Sequence, residues 1–268
     1  MIFNQANEWQ KLQNGIKQLA KEEVLSRFNK VSAEIKSDGS LLTEADTEMQ
    51  AACKKFLTQN WPEFSFLGEE STEAEQIQAL ASTTGCWVLD PVDGTSNFAS
   101  GIPIFSVSLA LVVNQQVVAG LVYDPSQDEM FSARKGLGAK LNGNKLNGKT
   151  AKRNISECIA IVDFKRLPYS LSNELISNTP FSSQRSIGSV ALDWCWIAAG
   201  RGQIYCHGAQ NLWDYAAGYL ILTESGGKNI TFDGQDVFKA KIEKRSAITA
   251  TNQTLFDEWK NYVLKHLG

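Results

Sequence analysis

Histidine is almost missing from this chain: its 268 residues include only His207 and His266. A Ser-His-Asp mechanism has little material here, and His266, close to the last residue, reads as a solvated side chain. Cysteine offers no framework either. Cys53, Cys86, Cys158, Cys195 and Cys206 are odd in number and share no metal-type spacing. All five sit in apolar contexts, where a reduced thiol packs as a small hydrophobe, so they read as core. A charge excess of one sign is also lacking. The net charge is −3 and no Lys/Arg run occurs, which argues against a protein that tracks a phosphate backbone and makes nucleic acid an unexpected partner. Long apolar runs are absent. Residues 104–113, the most apolar later segment, are far too short to span a bilayer, and MIFNQANEWQ lacks the basic start and apolar stretch of a signal peptide. A cytoplasmic protein without a membrane partner is expected, so the sequons at Asn154, Asn229 and Asn252 carry no meaning.

What is present suits a large folded unit: 43% hydrophobic content buries a substantial core in one domain or two joined lobes. Its most informative stretch is residues 86–98, CWVLDPVDGTSNF. Cys86, Trp87, Val88 and Leu89 form the apolar run of a buried strand, which stops at a carboxylate. Pro91 fixes its own φ and holds Asp90 extended, leaving the Val92 carbonyl free to point out of the turn. Asp93 returns a second carboxylate to the same side. Gly94 removes the Cβ that would keep a ligand from the backbone, and Thr95 starts a helix whose first N–H groups attract an anion. Alone, Asp-Pro-x-Asp-Gly is equally an ordinary type I turn. A calcium loop is excluded, because the position of the closing Glu is Gly101.

Along the chain, Trp9, Leu12, Ile16 and Leu19, continued by Val24, Leu25 and Phe28, predict an amphipathic helix over 9–28. A polar loop follows at 36–40. A second helix begins near 43–46, with Asp46 in its first turn, and stops before Pro62. A short strand at 64–67 ends in Gly68-Glu69-Glu70-Ser71, carboxylates that invite a cation or simply form a surface turn. Strands at 105–113, 117–123 and 129–134 and a hairpin at 140–146 form an antiparallel meander. Gly136 and Gly138 hint at a dinucleotide loop, but Leu141 stands at the third glycine position. After a connection at 148–156, strands at 158–162, 203–206 and 246–250 alternate with helices at 189–199, 213–225 and 253–267. The expected division is an N-terminal α+β lobe, 1–150, with most of the acidic ligands, and a C-terminal α/β lobe, 151–268. Ala216, Ala217 and Gly218 allow the helix carrying Asp214 to approach a neighbour closely and bring that carboxylate to the first lobe.

Taken together, Gly68-Glu69-Glu70-Ser71, the stretch from Trp87 to Phe98 and Trp213-Asp214-Tyr-Ala-Ala-Gly218 resemble the inositol monophosphatase family. That family lies within the lithium-sensitive, magnesium-dependent sugar and inositol phosphatases. Lys36, Thr43, Asp46 and Arg185-Ser-Ile-Gly188 also fit, so the resemblance covers nearly the whole chain. It implies an α/β (α+β layered) fold, a five-layer αβαβα sandwich with the site between the lobes, and a homodimer. The same resemblance implies Mg²⁺, two or three per active site. Glu69, Asp90 and the Val92 carbonyl would hold the first, and Asp90, Asp93 and Asp214 the second, with Glu69 near a weaker third. Glu70 would support this set. Asp46 and Thr95 would pair to orient the attacking water, making Glu69, Asp46 and Thr95 the catalytic group. The N–H groups of Gly94 and Thr95 would bind phosphate, and Gly188, Ser189, Val190, His207 and Asp214 would face the substrate.

An all-oxygen donor set favours Mg²⁺ over zinc, and phosphomonoester hydrolysis, which needs accelerations of up to roughly 10²¹-fold, makes such help necessary. The expected activity is hydrolysis of a small polyol or sugar phosphate, inositol 1-phosphate first. His207 replaces the Glu common in inositol-preferring relatives and Val190 replaces a smaller Ala, which leaves room for fructose-1,6-bisphosphatase, histidinol phosphatase or nucleotide 3′-phosphatase activity. Lys165, Arg166 and Arg185 are available for a bisphosphate, but the sequence does not place them. A regulatory role beside the transcription machinery is the alternative of a different class.

Overall fold

The computed structural model describes residues 3, 5–30, 32–36, 41–146 and 154–267. Residues 37–40 of the loop expected at 36–40 and most of the connection at 148–156 lie outside them. Helix α1 (Ala6–Leu19) buries Trp9, Leu12 and Ile16, as their spacing requires. The winding then changes to a π turn, Ala20–Val24, and a 3₁₀ turn, Leu25–Arg27, instead of continuing as one regular helix. A short hairpin, β1 (Ala33–Ile35) and β2 (Leu41–Thr43), leads into α2 (Glu44–Asn60). Thr43 and Asp46 cap α2 reciprocally, satisfying N–H groups that the first turn leaves unpaired.

The next strands are β3 (Ser65–Gly68), β4 (Cys86–Asp93), β5 (Ser106–Val113), β6 (Gln116–Asp124), β7 (Glu129–Arg134), β8 (Ala139–Leu141) and β9 (Asn144–Lys145). They form one sheet in that order, β3 and β4 parallel and the rest antiparallel. Helix α3 (Glu73–Leu80), absent from the sequence reading, makes the crossover between β3 and β4 and is opened by a Thr72–Glu75 capping box. Helix α4 (Thr95–Ala99) is a single turn after β4.

The second sheet has the order β11-β10-β12-β14-β13. It contains β10 (Ile159–Val162), β11 (Ser183–Arg185), β12 (Ile204–Gln210), β13 (Lys228–Ile230) and β14 (Arg245–Ala250), interleaved with α5 (Tyr169–Ser177), α6 (Val190–Ala198), α7 (Leu212–Glu224) and α8 (Gln253–Lys265).

Side-chain alternation stacks these elements into five layers. On β4, Trp87 and Leu89 face α1 and α2 while Cys86 and Val88 face α6 and α7. On β10, Ile161 joins that same middle core, while Ala160 and Val162 turn to α5 and α8. The order is therefore helix, sheet, helix, sheet, helix. Helices α6 and α7 belong by sequence to the second half yet share a core with the first sheet. Each large side chain fully buried there contributes about 1.5–3 kcal/mol.

Two glycines set how closely the middle layer packs. A Cβ on Gly120 of β6 would lie 3.0 Å from the Ala217 carbonyl and 3.1 Å from its Cα. One on Gly218 would lie 2.5 Å from Trp194 Cβ. Small residues at 216–218 therefore do bring α7 against its neighbours. Asp214, on its first turn, is carried to the sheet by that contact, and Ser108 Oγ on β5 donates to the Trp213 carbonyl at 3.0 Å.

Candidate active site

Strand β4 places Asp90 opposite Ser108 and Asp93 opposite Ser106. Three steps along one strand match two along the other, so a bulge lies between the two acids. Without it, residues three apart would point to opposite faces of the sheet. The bulge turns both carboxylates toward the middle layer. Val92 N donates to Asp90 Oδ1 at 3.1 Å, and the Val92 carbonyl accepts from Thr95 Oγ1 at 2.9 Å. Gly94, at φ 95°, follows. A Cβ on it would meet the carbonyls of Ile104 at 3.0 Å and Gly188 at 3.2 Å, so the position needs glycine on two counts.

A cleft of about 290 Å³ opens at this point between the sheets. From the first half of the chain it is lined by Glu69, Asp90, Val92, Asp93, Gly94 and Thr95, and from the second by Gly188, Ser189, Val190 and Asp214. Asp46 lies just behind, fully buried, with Oδ2 accepting from Thr43 N at 2.7 Å and Thr43 Oγ1 at 2.6 Å while Oδ1 accepts from Thr95 Oγ1 at 3.3 Å. It caps a helix and touches Thr95 at once. Asp93 crosses to the other half: Ser189 Oγ donates to it, as do Val190 N at 3.1 Å and Ala191 N at 2.8 Å, so this carboxylate also closes the start of α6. Asp214 Oδ2 accepts from Asn211 N at 2.8 Å.

Glu69 projects from the end of β3, where Lys36 reaches both Glu69, at 3.2 Å, and Glu70. Burial lowers the Lys36 pKa, but Glu69 and Glu70 more than offset it and hold the amine protonated. Burial moves Glu69 the other way, up to about 7 despite Lys36. Asp93 rises to about 6, burial outweighing the donors at Ser189, Ala191 and Val190. Asp90 and Asp214 are pushed well above the carboxylate range, first by burial and then by the surrounding acids. A set of buried and half-buried acids that raise one another's pKa calls for positive charge.

The donor chemistry fits a hard divalent cation: every acid here offers oxygen, and the Val92 carbonyl is beside them. Among the described residues no three His, Cys, Asp or Glu side chains close into a ready-made cage. Each acid is drawn to a protein donor instead, Asp93 to α6, Glu69 to Lys36, Asp90 to Val92 and Asp214 to Asn211.

Several residues at the site carried no role in the sequence reading. Asn97 Nδ2 donates to the Ile104 and Ile187 carbonyls, both at 2.8 Å, and so ties α4 to the loop before α6. Gln76 of α3 donates to the carbonyls of Gly68, Glu69 and Ser71 and fixes the loop that carries Glu69. Asp193 lines the cleft with an Oδ1 that has no hydrogen-bond partner among the described residues, and burial, then Asp93 and Asp163, push its pKa well up. Its signal was visible as one carboxylate in the otherwise apolar stretch VALDWCWIA.

His207 is 1% exposed and stands behind the cleft wall. Ala209 N donates to its Nδ1 at 3.2 Å, which leaves the ring proton on Nε2, facing Asp163 Oδ2 at 3.2 Å in poor hydrogen-bond alignment. Burial lowers the imidazole from its usual 6.5 and outweighs the attraction of Asp163, so the ring is neutral at pH 7. Burial pushes Asp163 up, yet His207 and Arg166 bring it down to about 2. A pH dependence follows. Below 6.5 the unfolded chain takes up the His207 proton before the folded one does, so stability falls as pH drops from that value. Asp163 adds nothing in that window, because its contribution is lost only as pH falls from 3.8 toward 2. Urea denaturation across pH 7 to 5 is expected to show the stability of His207→Gln gaining on that of wild type as pH falls, because the variant lacks the one contribution that His207 loses there. Superimposable profiles would mean that His207 titrates alike in both states.

A five-layer α/β sandwich with an acid-lined cleft between its sheets defines the scaffold of a phosphatase. The chain belongs to the inositol monophosphatase family, whose model matches residues 5–266. It is 32% identical over 235 residues to inositol monophosphatase 1 of Bos taurus, covering 85% of this chain and 83% of the relative. Over 208 residues it is 34% identical to the Nus factor SuhB of Escherichia coli strain K12, covering 76% of each. The solved Thermotoga maritima IMPase superposes with a TM-score of 0.82 at 25% identity, over 98% of this chain and 100% of that one.

Proposed function

We propose that this chain is a Mg²⁺-dependent phosphomonoesterase acting on a small polyol or sugar phosphate, with inositol 1-phosphate the first candidate. The observation that carries the reading is the gathering of Glu69, Asp90, Asp93 and Asp214 at one cleft, Asp90 and Asp93 buried and Glu69 and Asp214 half-buried, where they act on one another's ionisation. Glu69, Asp90 and the Val92 carbonyl would hold one cation and Asp90, Asp93 and Asp214 another, with Glu69 nearest any third. Bound Mg²⁺ supplies charge neutralisation for phosphate and leaving group and lowers the pKa of water. Thr95 and Asp46, in contact at 3.3 Å, orient the attacking water. The Gly94 and Thr95 N–H groups, Gly188, Ser189 and Val190 position the ester. Burial pushes the Asp193 carboxyl well above its ordinary range beside the acids. A homodimer, a cytoplasmic location and lithium inhibition belong to the same proposal.

The test is phosphate release from inositol 1-phosphate, fructose 1,6-bisphosphate, histidinol phosphate, 3′-phosphoadenosine 5′-phosphate and NADP, with Mg²⁺ and with added Li⁺. We expect release from at least one compound that stops on chelation and falls with Li⁺. Silence across the panel from folded, Mg²⁺-supplied protein would move the weight to the regulatory reading, which the likeness to proteins named Nus factor SuhB supports. Co-purification with RNA polymerase subunits would then be the outcome expected.

A further inference from the structure

We infer that Asp193, on the first turn of α6, is a specificity-determining residue: its unpartnered carboxyl oxygen accepts a hydrogen bond from a hydroxyl on the alcohol part of the phosphate ester. This deepens the phosphomonoesterase reading and rests on it. Asp193 is 4% exposed and lines the cleft, and its Oδ1 is buried without a hydrogen-bond partner among the described residues. It makes no ion pair among them either. A buried carboxyl oxygen left unpaired is costly in any fold, so it calls for a partner from outside the chain.

The helix aims this side chain at the cleft. Asp193 N donates to the Ser189 carbonyl at 3.0 Å, so residue 193 lies one turn beyond the helix cap and shares a face with Ser189 and Val190, which also line the cleft. Side chains on a helix lean toward its N-terminus, and the Asp193 carboxyl is carried toward that pair. Its charged neighbours place it across the cleft. The carboxyl feels Asp93, one of the clustered acids, and Asp163, the residue that follows β10. An ester held by its phosphate at the acids therefore has its alcohol on the side of Asp193.

The other carboxylate on that side is already committed. Asp163 Oδ1 accepts from Lys165 N at 3.0 Å, and Asp163 Oδ2 pairs with Arg166 Nη1 and faces His207 Nε2 at 3.2 Å, so Asp163 holds the 3₁₀ turn Phe164–Arg166. His207 does not line the cleft at all. Ile161, Val162 and Val190, in the same lining, have no polar side-chain atom to offer. A hydrogen bond made beside such residues is stronger than one made in water. An ester without the hydroxyl would leave the Asp193 oxygen unpaired, which is how a buried polar group rejects an analogue lacking one polar contact. A carboxyl keeps an acceptor oxygen in either ionisation state, so the contact does not depend on the charge of Asp193.

The experiment compares inositol 1-phosphate with cyclohexyl phosphate, and glycerol 2-phosphate with isopropyl phosphate, by calorimetric binding in Mg²⁺ and by phosphate release. Each pair shares a carbon skeleton and differs only in hydroxyls. Wild type should bind the hydroxylated member of at least one pair about tenfold more tightly. That ratio should fall about tenfold in Asp193→Ala and in Asp193→Leu, which fills the space without an acceptor. Asp193→Asn keeps an acceptor oxygen and should retain most of it. Where both members are hydrolysed, the ratio of their kcat/KM values should move in the same way. A merely structural role would weaken both members alike and leave the ratio unmoved. If neither these four esters nor the wider panel is hydrolysed, the phosphomonoesterase reading fails, and Asp193 is judged on the binding ratio alone. Equal affinity within both pairs, or an unchanged ratio in folded Asp193→Ala or Asp193→Leu protein, overturns the assignment.

Discussion

Asp90→Asn is expected to lower Mg²⁺-dependent phosphate release by about 10²–10³-fold while leaving the metal-free protein at least as stable as wild type. The two effects have one cause. Asp90 is 2% exposed, and burial followed by Glu69, Asp93 and Asp214 lifts its pKa far above the carboxylate range. Replacing it with a neutral amide removes a charge that the fold tolerates poorly without a cation. The substituted side chain keeps the oxygen that accepts from Val92 N at 3.1 Å, so the bulge in β4 retains its internal bond. Affinity for Mg²⁺ should weaken, because Asp90 is the acid shared between both proposed cation positions. Thermal unfolding with and without Mg²⁺ checks this directly. A cation present at a hundred times its Kd stabilises the wild type by about 2.7 kcal/mol, and most of that shift should vanish in the variant. Undiminished phosphate release, or an equal Mg²⁺ shift, would remove Asp90 from the site.

What the sequence disclosed and what it hid divide along physical lines. The apolar run at 86–89 and the acids after it are local, so β4 and the residues at its end were readable. That Asp90 and Asp93 share a side depends on the bulge against Ser106 and Ser108, which no spacing announces. Asp214 was placed correctly from Ala216, Ala217 and Gly218, because a missing Cβ is itself a packing instruction. Helix α3, helix α5 and strands β11 and β13 were not read. Strand β11 has the sequence SQR and exists because it pairs with β10, and α5 buries only Leu171 and Leu175. Lys165 and Arg166 were recognisable as residue types, but their place on the cleft wall depends on the turn after β10 lying against Gly208 of β12, a contact made only in the folded chain. His207 was expected to face the substrate. The structure puts it behind Asp163, its Nε2 3.2 Å from Asp163 Oδ2, and it does not line the cleft.

The middle layer makes Gly218→Ala the second large effect. Its new Cβ would sit 2.5 Å from Trp194 Cβ and 3.0 Å from Trp194 Cγ, both close to the α6 backbone, where rotation of the ring gives no relief. Trp194 is fully buried, edge-on to Tyr205, with Nε1 donating to Gln210 Oε1 at 2.6 Å, so it is not free to withdraw. Helices α6 and α7 must therefore separate. Such overpacking costs about 1–3 kcal/mol, and unfolding in urea should register it at an unchanged m-value. Stability is only part of the expected loss. The start of α6 supplies the donors that hold Asp93, and the first turn of α7 carries Asp214, so one added methyl group moves two of the clustered acids relative to each other. Phosphate release measured where the variant is still folded should fall by more than its unfolded fraction explains. A variant that is destabilised yet fully active when folded would show that the spacing of Asp93 and Asp214 is set by the first sheet alone.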